Sequence, residues 1–177
     1  MVPGMYKDMS CAIEYPKLNS GPGVRLMTIK QIPAELLPRA GTTLVFQTRA
    51  SGIQTYSLKV DGGGNPAWVL KGQQAELRDA QGSVIGTHYS GPTWKLNDGS
   101  ELTAKVVARV ESSDKNAIPW LLLQVTSNSG KGVLGLVTAI QRIYTCGGQP
   151  PGKADAKDAG KEVNCAYTAD YCFFAPE

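Results

Sequence analysis

The chain has little histidine, no long apolar run and no strong excess of charge of one sign. Its single histidine, His88, confines any histidine-dependent chemistry to one position. The longest apolar run covers residues 118–123, whereas a membrane-spanning helix needs about 20 apolar residues, so we expect no membrane span. The formal net charge is +3, and the Lys and Arg residues are dispersed, which argues against nucleic acid as a partner.

Four cysteines form an even set in which no two have CxxC spacing, and this favours disulfides over a zinc site. No metal and no other cofactor is therefore predicted. Spacing alone leaves three pairings open. If the last strand is continuous, Cys165 and Cys172 lie an odd number of residues apart and face opposite sides of it. We predict a Cys146–Cys165 bond, because it would close the Pro/Gly-rich loop between them, and a bond from Cys11 to Cys172.

The predicted disulfides indicate an oxidising compartment, so we expect a secreted or periplasmic protein. Residues 1–10 lack the basic start and the apolar core of a signal peptide. The expectation of export therefore includes a leader that has been removed.

Turn signals recur at short intervals, and no segment of useful length carries apolar residues with the period of a helix. The clearest strand is 101–111, where apolar and polar residues alternate. We predict an all-β fold of about ten short strands with little helix, either an antiparallel β-sandwich or a closed β-barrel. A helical turn is expected only over residues 34–37. The turn signals lie at Gly41, Gly52, 61–66, Gly72, Gly82, 91–92 and 98–99.

The length of 177 residues suits one domain. We predict an N-terminal arm (1–23), a β core (24–146), a loop (147–161) and a C-terminal strand (162–177). The other strand candidates are 42–48, 53–60, 67–71, 83–89, 118–125 and 133–145.

Seven segments carry a resemblance to a known family: GIQTYSL (52–58), AWVL (67–70), AELRDAQGSVIGTHYSGPTW (75–94), DGS (98–100), IPWLLL (118–123), VTAIQRIYTCGGQPP (137–151) and YTADYCFF (167–174). The chain resembles members of domain of unknown function 3455, a bacterial and fungal family whose members are mostly exported. The resemblance implies no established activity. Leu58 stands where a cysteine is expected and Cys172 where an aromatic residue is expected, so disulfide positions do not carry over.

Residues 130–135 read GKGVLG, and some fungal members of that family carry a malate dehydrogenase label. A dinucleotide site requires that such glycines lead into a helix whose N-terminus holds the pyrophosphate. Here the β-branched segment LVTAIQRIY follows instead. We therefore predict a glycine-rich hairpin turn and reject a dehydrogenase.

A hydrolytic constellation can be drawn from His88, Asp79, Asp98 and Ser100, which fall in or beside neighbouring turns. None of them lies in a GxSxG nucleophile sequence. The favoured interpretation is a histidine whose ring nitrogens bridge turn backbones.

A binding site is suggested by aromatic residues and one arginine near these turns. Tyr89 and Trp94 flank a Gly-Pro turn, and we expect them at a rim where rings stack on sugars or apolar ligands. Arg142 lies in an otherwise apolar strand, so it must either bind backbone carbonyls or a carboxylate, or hold an anion. With His88, these are the predicted ligand-binding residues.

The leading prediction is a non-catalytic ligand- or surface-binding module that recognises a glycan, an envelope component or a small apolar ligand near residues 88–94. One alternative is a hydrolase that uses His88 with a nearby acid or hydroxyl. The other is a structural or self-associating envelope protein. The sequence carries no signal for an oligomeric state.

Overall fold

Eight strands and three short 3-10 helices make up residues 32–177, the part of the chain that the computed structural model describes. The 3-10 helices cover Ala34–Leu36, Val133–Leu136 and Ala156–Asp158. The strands are β1 (Thr42–Val60), β2 (Pro66–Arg78), β3 (Val84–Tyr89), β4 (Thr93–Leu96), β5 (Glu101–Val110), β6 (Trp120–Ser129), β7 (Ala139–Gly147) and β8 (Glu162–Pro176).

The eight strands form one antiparallel sheet in which each strand pairs with the next. β8 also pairs with β1, from Thr42 opposite Pro176 to Ser57 opposite Glu162, so the sheet closes into a barrel. The all-β prediction is confirmed, and so is the helical turn near residue 34.

Two predicted turns lie inside strands, which is why eight strands are found among residues 32–177 instead of about ten. Gly52 is in the middle of β1, where a Cβ atom would lie 2.0 Å from the Gln74 carbonyl oxygen of β2. The glycine is therefore needed for the close approach of two strands. Gly72 lies in β2 opposite a register shift between Thr55 and Tyr56, so it marks a bulge. The predicted strand over 133–145 also begins later, at Ala139.

Alternate residues of each strand point into the barrel, as a side-chain period of two requires. In β8 the buried inward residues are Tyr167, Ala169, Tyr171, Phe173 and Ala175. All of them except Ala175 belong to an apolar core to which every strand contributes.

A second, smaller apolar cluster lies on the outside of the barrel. Leu36 is completely buried there, together with Trp120, Ile143 and Cys172. Gln141 Nε2 donates to the Leu36 carbonyl oxygen at 2.6 Å. The short segment before β1 therefore covers the outer face of β6, β7 and β8.

The turns divide between two ends of the barrel because neighbouring strands are antiparallel. We call the end with the β2–β3, β4–β5 and β6–β7 connections the closed end. The other end, with the β1–β2, β3–β4, β5–β6 and β7–β8 connections, is the open end.

The predicted Cys146–Cys165 disulfide is wrong, and no disulfide forms among residues 32–177. Cys146 pairs with Thr168 across the sheet, and directly paired residues share a face. Cys165 lies three residues from Thr168 and therefore faces the opposite side of the sheet, about 10 Å along the strand. The β7–β8 loop is instead held by hydrogen bonds, including one at 3.1 Å from Trp68 Nε1 to the Lys153 carbonyl oxygen.

β8 is one continuous strand, as predicted, and Cys165 and Cys172 are not bonded to each other. Burial raises the pKa of Cys172 to about 11, and the nearby charge of Asp170 acts in the same direction. The predicted partner of Cys172, Cys11, lies outside the described residues, as does the predicted N-terminal arm.

Residues 32–177 form one compact unit. Within that range, no helix has both the length and the apolar character that crossing a bilayer demands.

Candidate functional site: a cavity at the open end of the barrel

A cavity of about 710 Å³ enters the barrel from the open end. Its outer lining includes Leu70, Lys71, Val106 and Arg109, which are all exposed. Pockets for small ligands measure roughly 300–1,000 Å³, and eight-stranded barrels are wide enough to hold one small ligand. We call this space the end cavity.

Three aromatic side chains form the floor of the end cavity, His88, Trp94 and Tyr171. The His88 and Trp94 rings are stacked with centroids 4.2 Å apart. Tyr171 meets both rings edge-on, at 5.1 Å from His88 and 5.4 Å from Trp94. None of the three is more than 1% exposed, so the floor separates the end cavity from the apolar core beneath it.

His88 uses both ring nitrogens in hydrogen bonds. Nδ1 lies 2.8 Å from the Thr93 carbonyl oxygen and therefore donates to it. Nε2 lies 2.8 Å from the Gln73 amide nitrogen and accepts from it, which makes the ring neutral. Burial lowers the pKa of His88 to about 3; the bond with Thr93 opposes this shift, and the charge of Arg142 adds to it.

Arg142 is the buried cation of the site, with only 7% of its surface exposed. It donates to the Pro119 carbonyl oxygen from Nε at 3.1 Å and from Nη2 at 2.9 Å. None of the ion pairs formed among residues 32–177 involves this guanidinium. Its positive charge lowers the pKa of His88 and Tyr171, so its field reaches the floor.

Amide and phenol groups line the wall above the floor. Tyr56 Oη lies 2.8 Å from Gln54 Oε1 and 2.9 Å from the Gly148 carbonyl oxygen, and these two acceptors share its one hydroxyl hydrogen. Burial raises the pKa of Tyr56. The wall is therefore polar and already hydrogen-bonded.

Among residues 32–177, two polar atoms at the floor have no hydrogen-bond partner of normal geometry, the indole Nε1 of Trp94 and the hydroxyl of Tyr171. The Tyr171 hydroxyl does interact with the side chains of Tyr167 and Arg142. Burial raises the pKa of Tyr171, while Arg142 acts in the opposite direction. A buried polar group without a partner costs about 1–3 kcal/mol, so these atoms are held there at a cost to stability.

The charges that line the end cavity are all positive. Lys71, Arg109 and Arg142 contribute to the lining, and no Asp or Glu of residues 32–177 is part of it. Lys71 pairs with Glu162 and Arg109 pairs with Glu111, but these carboxylates lie outside the lining. The cavity therefore favours a neutral or negatively charged occupant.

The structure does not bring the predicted catalytic residues together. Asp79, Asp98 and Ser100 lie in turns at the closed end. Asp79 accepts from the backbone N–H groups of residues 81 and 83. Ser100 Oγ donates to Asp98 Oδ1 at 2.6 Å, and this bond lowers the pKa of Asp98. His88 bonds to none of the three.

Two glycines of the GKGVLG segment allow close packing between turns at the closed end. A Cβ atom on Gly130 would lie 2.0 Å from the Gly99 carbonyl oxygen, and one on Gly132 would lie 2.3 Å from Asp98 Oδ2. The same carboxylate accepts from the Val133 N–H at 2.9 Å. A strand follows the segment after one 3-10 turn, so the motif packs two turns together and does not begin an α-helix.

The predicted aromatic pair divides between two environments. Trp94 is 0% exposed, so the expected rim position is wrong: its strand directs the side chain into the barrel. Tyr89 is 36% exposed and lies outside the cavity lining. Its hydroxyl donates to Glu101 Oε2 at 3.2 Å, and burial raises its pKa, with a further contribution from Glu101.

Three cavity residues, Gln54, Gln73 and Tyr171, were missed in the sequence. The alternation of each strand could have identified two of them. Gln54 lies an even number of residues from the other inward positions of β1, and Tyr171 an even number from those of β8. No group of three or more His, Cys, Asp or Glu side chains suited to a metal occurs among residues 32–177.

Comparison with known families gives one match. The model of a family described as proteins of unknown function, DUF3455, matches residues 38–175, which is most of the chain. This match confirms the resemblance in the sequence. No curated protein and no solved structure matches significantly.

Proposed function

We infer that this chain, which belongs to the DUF3455 family of proteins of unknown function, is a non-catalytic module that binds a small molecule in the end cavity. The observation that carries the proposal is a hollow, polar half of the barrel above an aromatic floor. A fold selected only for stability would fill this space with apolar side chains.

The ring of His88 supports binding over catalysis. A general base needs a pKa near the working pH and a free nitrogen that faces the substrate. His88 has a pKa of about 3, and Gln73 and Thr93 occupy its nitrogens. The hydrolase alternative therefore has no geometric support, whereas a fixed neutral ring suits a binding floor.

Binding can be tested with N-phenylnaphthylamine, a neutral aromatic probe that fluoresces in apolar sites. We expect saturable binding with one probe per chain. Because His88 is the only histidine, its imidazole gives one resolvable NMR signal, and a probe above the floor should shift it. Binding that leaves the His88 signal unchanged would contradict the proposal, and so would the absence of saturable binding of both this probe and its acidic analogue, anilinonaphthalene sulfonate.

A surface aromatic outside the lining provides the control. Tyr89→Phe removes a hydroxyl that bonds only to Glu101 in the described structure and leaves the lining intact. We expect unchanged probe affinity for this variant. A large loss would place binding at the exposed face beside Tyr89. Export to a secreted or periplasmic location stays a prediction.

A further inference from the structure

We propose that the ligand of the end cavity is an amphiphilic organic acid, whose acidic group lies against Arg142 and Tyr171 and whose apolar part extends toward the mouth. This inference rests on the proposed function of the cavity. It adds the chemical class of the ligand and the residues that select it.

The first support is a buried cation that lacks a counter-charge. A guanidinium removed from water is costly unless it is paired, and its planar fork matches carboxylate and related anions. Among residues 32–177, Arg142 donates to the neutral Pro119 carbonyl oxygen and interacts with the Tyr171 hydroxyl, and no carboxylate of this range lines the space in front of it. An acidic ligand would provide the missing charge.

The second support is independent of charge. The Tyr171 hydroxyl and the Trp94 indole N–H are both donors, both are at least 99% buried, and neither has an acceptor at normal hydrogen-bond geometry among residues 32–177. The Tyr171 oxygen interacts with the side chains of Tyr167 and Arg142, which leaves its position beside the guanidinium unchanged. Both residues line the end cavity. The oxygens of an ionised acid are acceptors only, so such a group at the floor would accept from these two donors.

The rim provides the third support. Lys71 and Arg109 lie at the mouth, and a cleft lined by charge of one sign attracts ligands of the opposite sign. The exposed ion pairs of these residues are weak and leave their charges available.

The remaining lining explains the apolar part of the ligand. Trp68, Leu70, Leu121, Leu123 and Pro150 line the same space. A small inorganic anion would leave these surfaces unused. The combination of these apolar side chains with a buried cation beside the aromatic floor suits an acid that carries an aromatic or aliphatic body.

The test compares two probes that differ by one acidic group, anilinonaphthalene sulfonate and neutral N-phenylnaphthylamine. We expect the sulfonate to bind at least about tenfold more tightly, because hydrogen bonds to charged groups are worth about 1.5–3 kcal/mol. The sulfonate should also shift the His88 NMR signal. Equal affinities would overturn this inference while the proposed function stands, and failure of both probes would overturn both.

Arg142→Gln should weaken sulfonate binding by about 10- to 100-fold and leave the neutral probe nearly unchanged. Because Arg142 is buried, this variant needs a companion that keeps the fold. Tyr171→Phe preserves the ring and removes a hydroxyl that makes no hydrogen bond of normal geometry within residues 32–177, and it should weaken the sulfonate by about tenfold. Equal losses for both probes in Tyr171→Phe would contradict a role in recognising the acid.

Two exposed arginines form a matched pair for the rim. Arg109 lies at the mouth and pairs with Glu111, whereas Arg78 lies at the closed end and pairs with Glu76. Arg109→Gln should weaken sulfonate binding by about threefold at low salt, and Arg78→Gln should not. Equal effects would show that only the overall charge matters and would overturn the rim assignment.

Decanoate and decanol extend the test to a natural acid group. Decanoate should displace the bound sulfonate probe, and decanol, which has the same chain without the charge, should do so at least about tenfold less well. Displacement by decanol at the same concentration would overturn the requirement for an acid.

Discussion

The two halves of the barrel follow the same inward alternation but place different chemistry on it. Toward the closed end, the interior consists of aliphatic and aromatic side chains such as Leu77, Leu102, Leu134 and Phe173, each at most 1% exposed. Toward the open end, the inward positions include Gln54, Gln73 and Arg142, with a cavity between them. The apolar contacts that stabilise the fold are therefore concentrated in the closed half, and the hollow half leaves space for a ligand.

The turns reinforce this difference. At the closed end, Asp98 fastens the β4–β5 turn to the GKGVLG segment through Ser100 and the Val133 N–H. At the open end, the long β7–β8 loop borders the end cavity through Gln149 and Pro150. Turns that are hydrogen-bonded to one another close the packed half, and a longer loop borders the hollow half.

The largest effect should come from Gly130→Ala at the closed end. Gly130 has φ of 75° and abuts the Gly99 carbonyl oxygen, so a side chain adds left-handed strain and displaces the neighbouring turn. We expect the free energy of unfolding to fall by about 2–4 kcal/mol in urea titrations. Gly135→Ala, in the same motif but with open space around it, should change it by less than about 1 kcal/mol. Similar losses in both variants would contradict a structural role specific to Gly130.

The next effect concerns His88, at the boundary between the halves. Its pKa is about 3 in the folded protein and 6.5 when unperturbed, so the unfolded state binds more protons between these values. The free energy of unfolding therefore falls as the pH drops below 6.5, by about 2 kcal/mol between about pH 7 and pH 5. Asp98, whose pKa is lowered, titrates below this window.

Urea unfolding at the two pH values measures this change. A His88→Gln variant cannot titrate, so it should lose the pH dependence. Equal stability of the unaltered protein at both pH values would show that His88 is hydrated or charged in the folded state.

The smallest effect, of opposite sign, belongs to Tyr171→Phe in the hollow half. The variant removes a buried hydroxyl that makes no hydrogen bond of normal geometry in the described part of the chain, so the free energy of unfolding should stay constant or rise by up to about 1 kcal/mol. Tyr56→Phe is the matched control: its hydroxyl bonds to Gln54 and Gly148, and we expect a loss of about 1 kcal/mol. Destabilisation of Tyr171→Phe beyond that of the control would contradict an unpaired hydroxyl.

Much of the fold could be predicted from local patterns. Alternation identified β5, and the β-branched segment after GKGVLG identified a strand instead of a helix. The structural role of a glycine could not be predicted from the sequence, because a glycine permits either a turn or close contact between two strands. Gly52 allows close contact. The disulfide prediction failed because cross-strand register decides which cysteines meet, and the short-range sequence does not contain that register.

The site was predicted less well than the fold. Arg142 was singled out because a charge in an apolar strand needs a partner, and the structure places it in the end cavity. Trp94 was misplaced because a Gly-Pro turn beside an aromatic residue does not reveal which side of the next strand faces inward. Gln54 and Gln73 lie on separate strands, and only barrel closure makes them neighbours of the same space.

Closure of the ring also has a kinetic consequence. β1 must find β8 across most of the described sequence; Thr55, for instance, bonds to Asn164, a partner 109 residues away. Folds dominated by such distant contacts form slowly. During synthesis, one side of the 19-residue β1 has no partner until the last strand emerges, and an unpaired edge of that length invites pairing with other chains. Pairing of β8 with β1 therefore ends the period in which the nascent protein can associate with other chains through the free edge of β1.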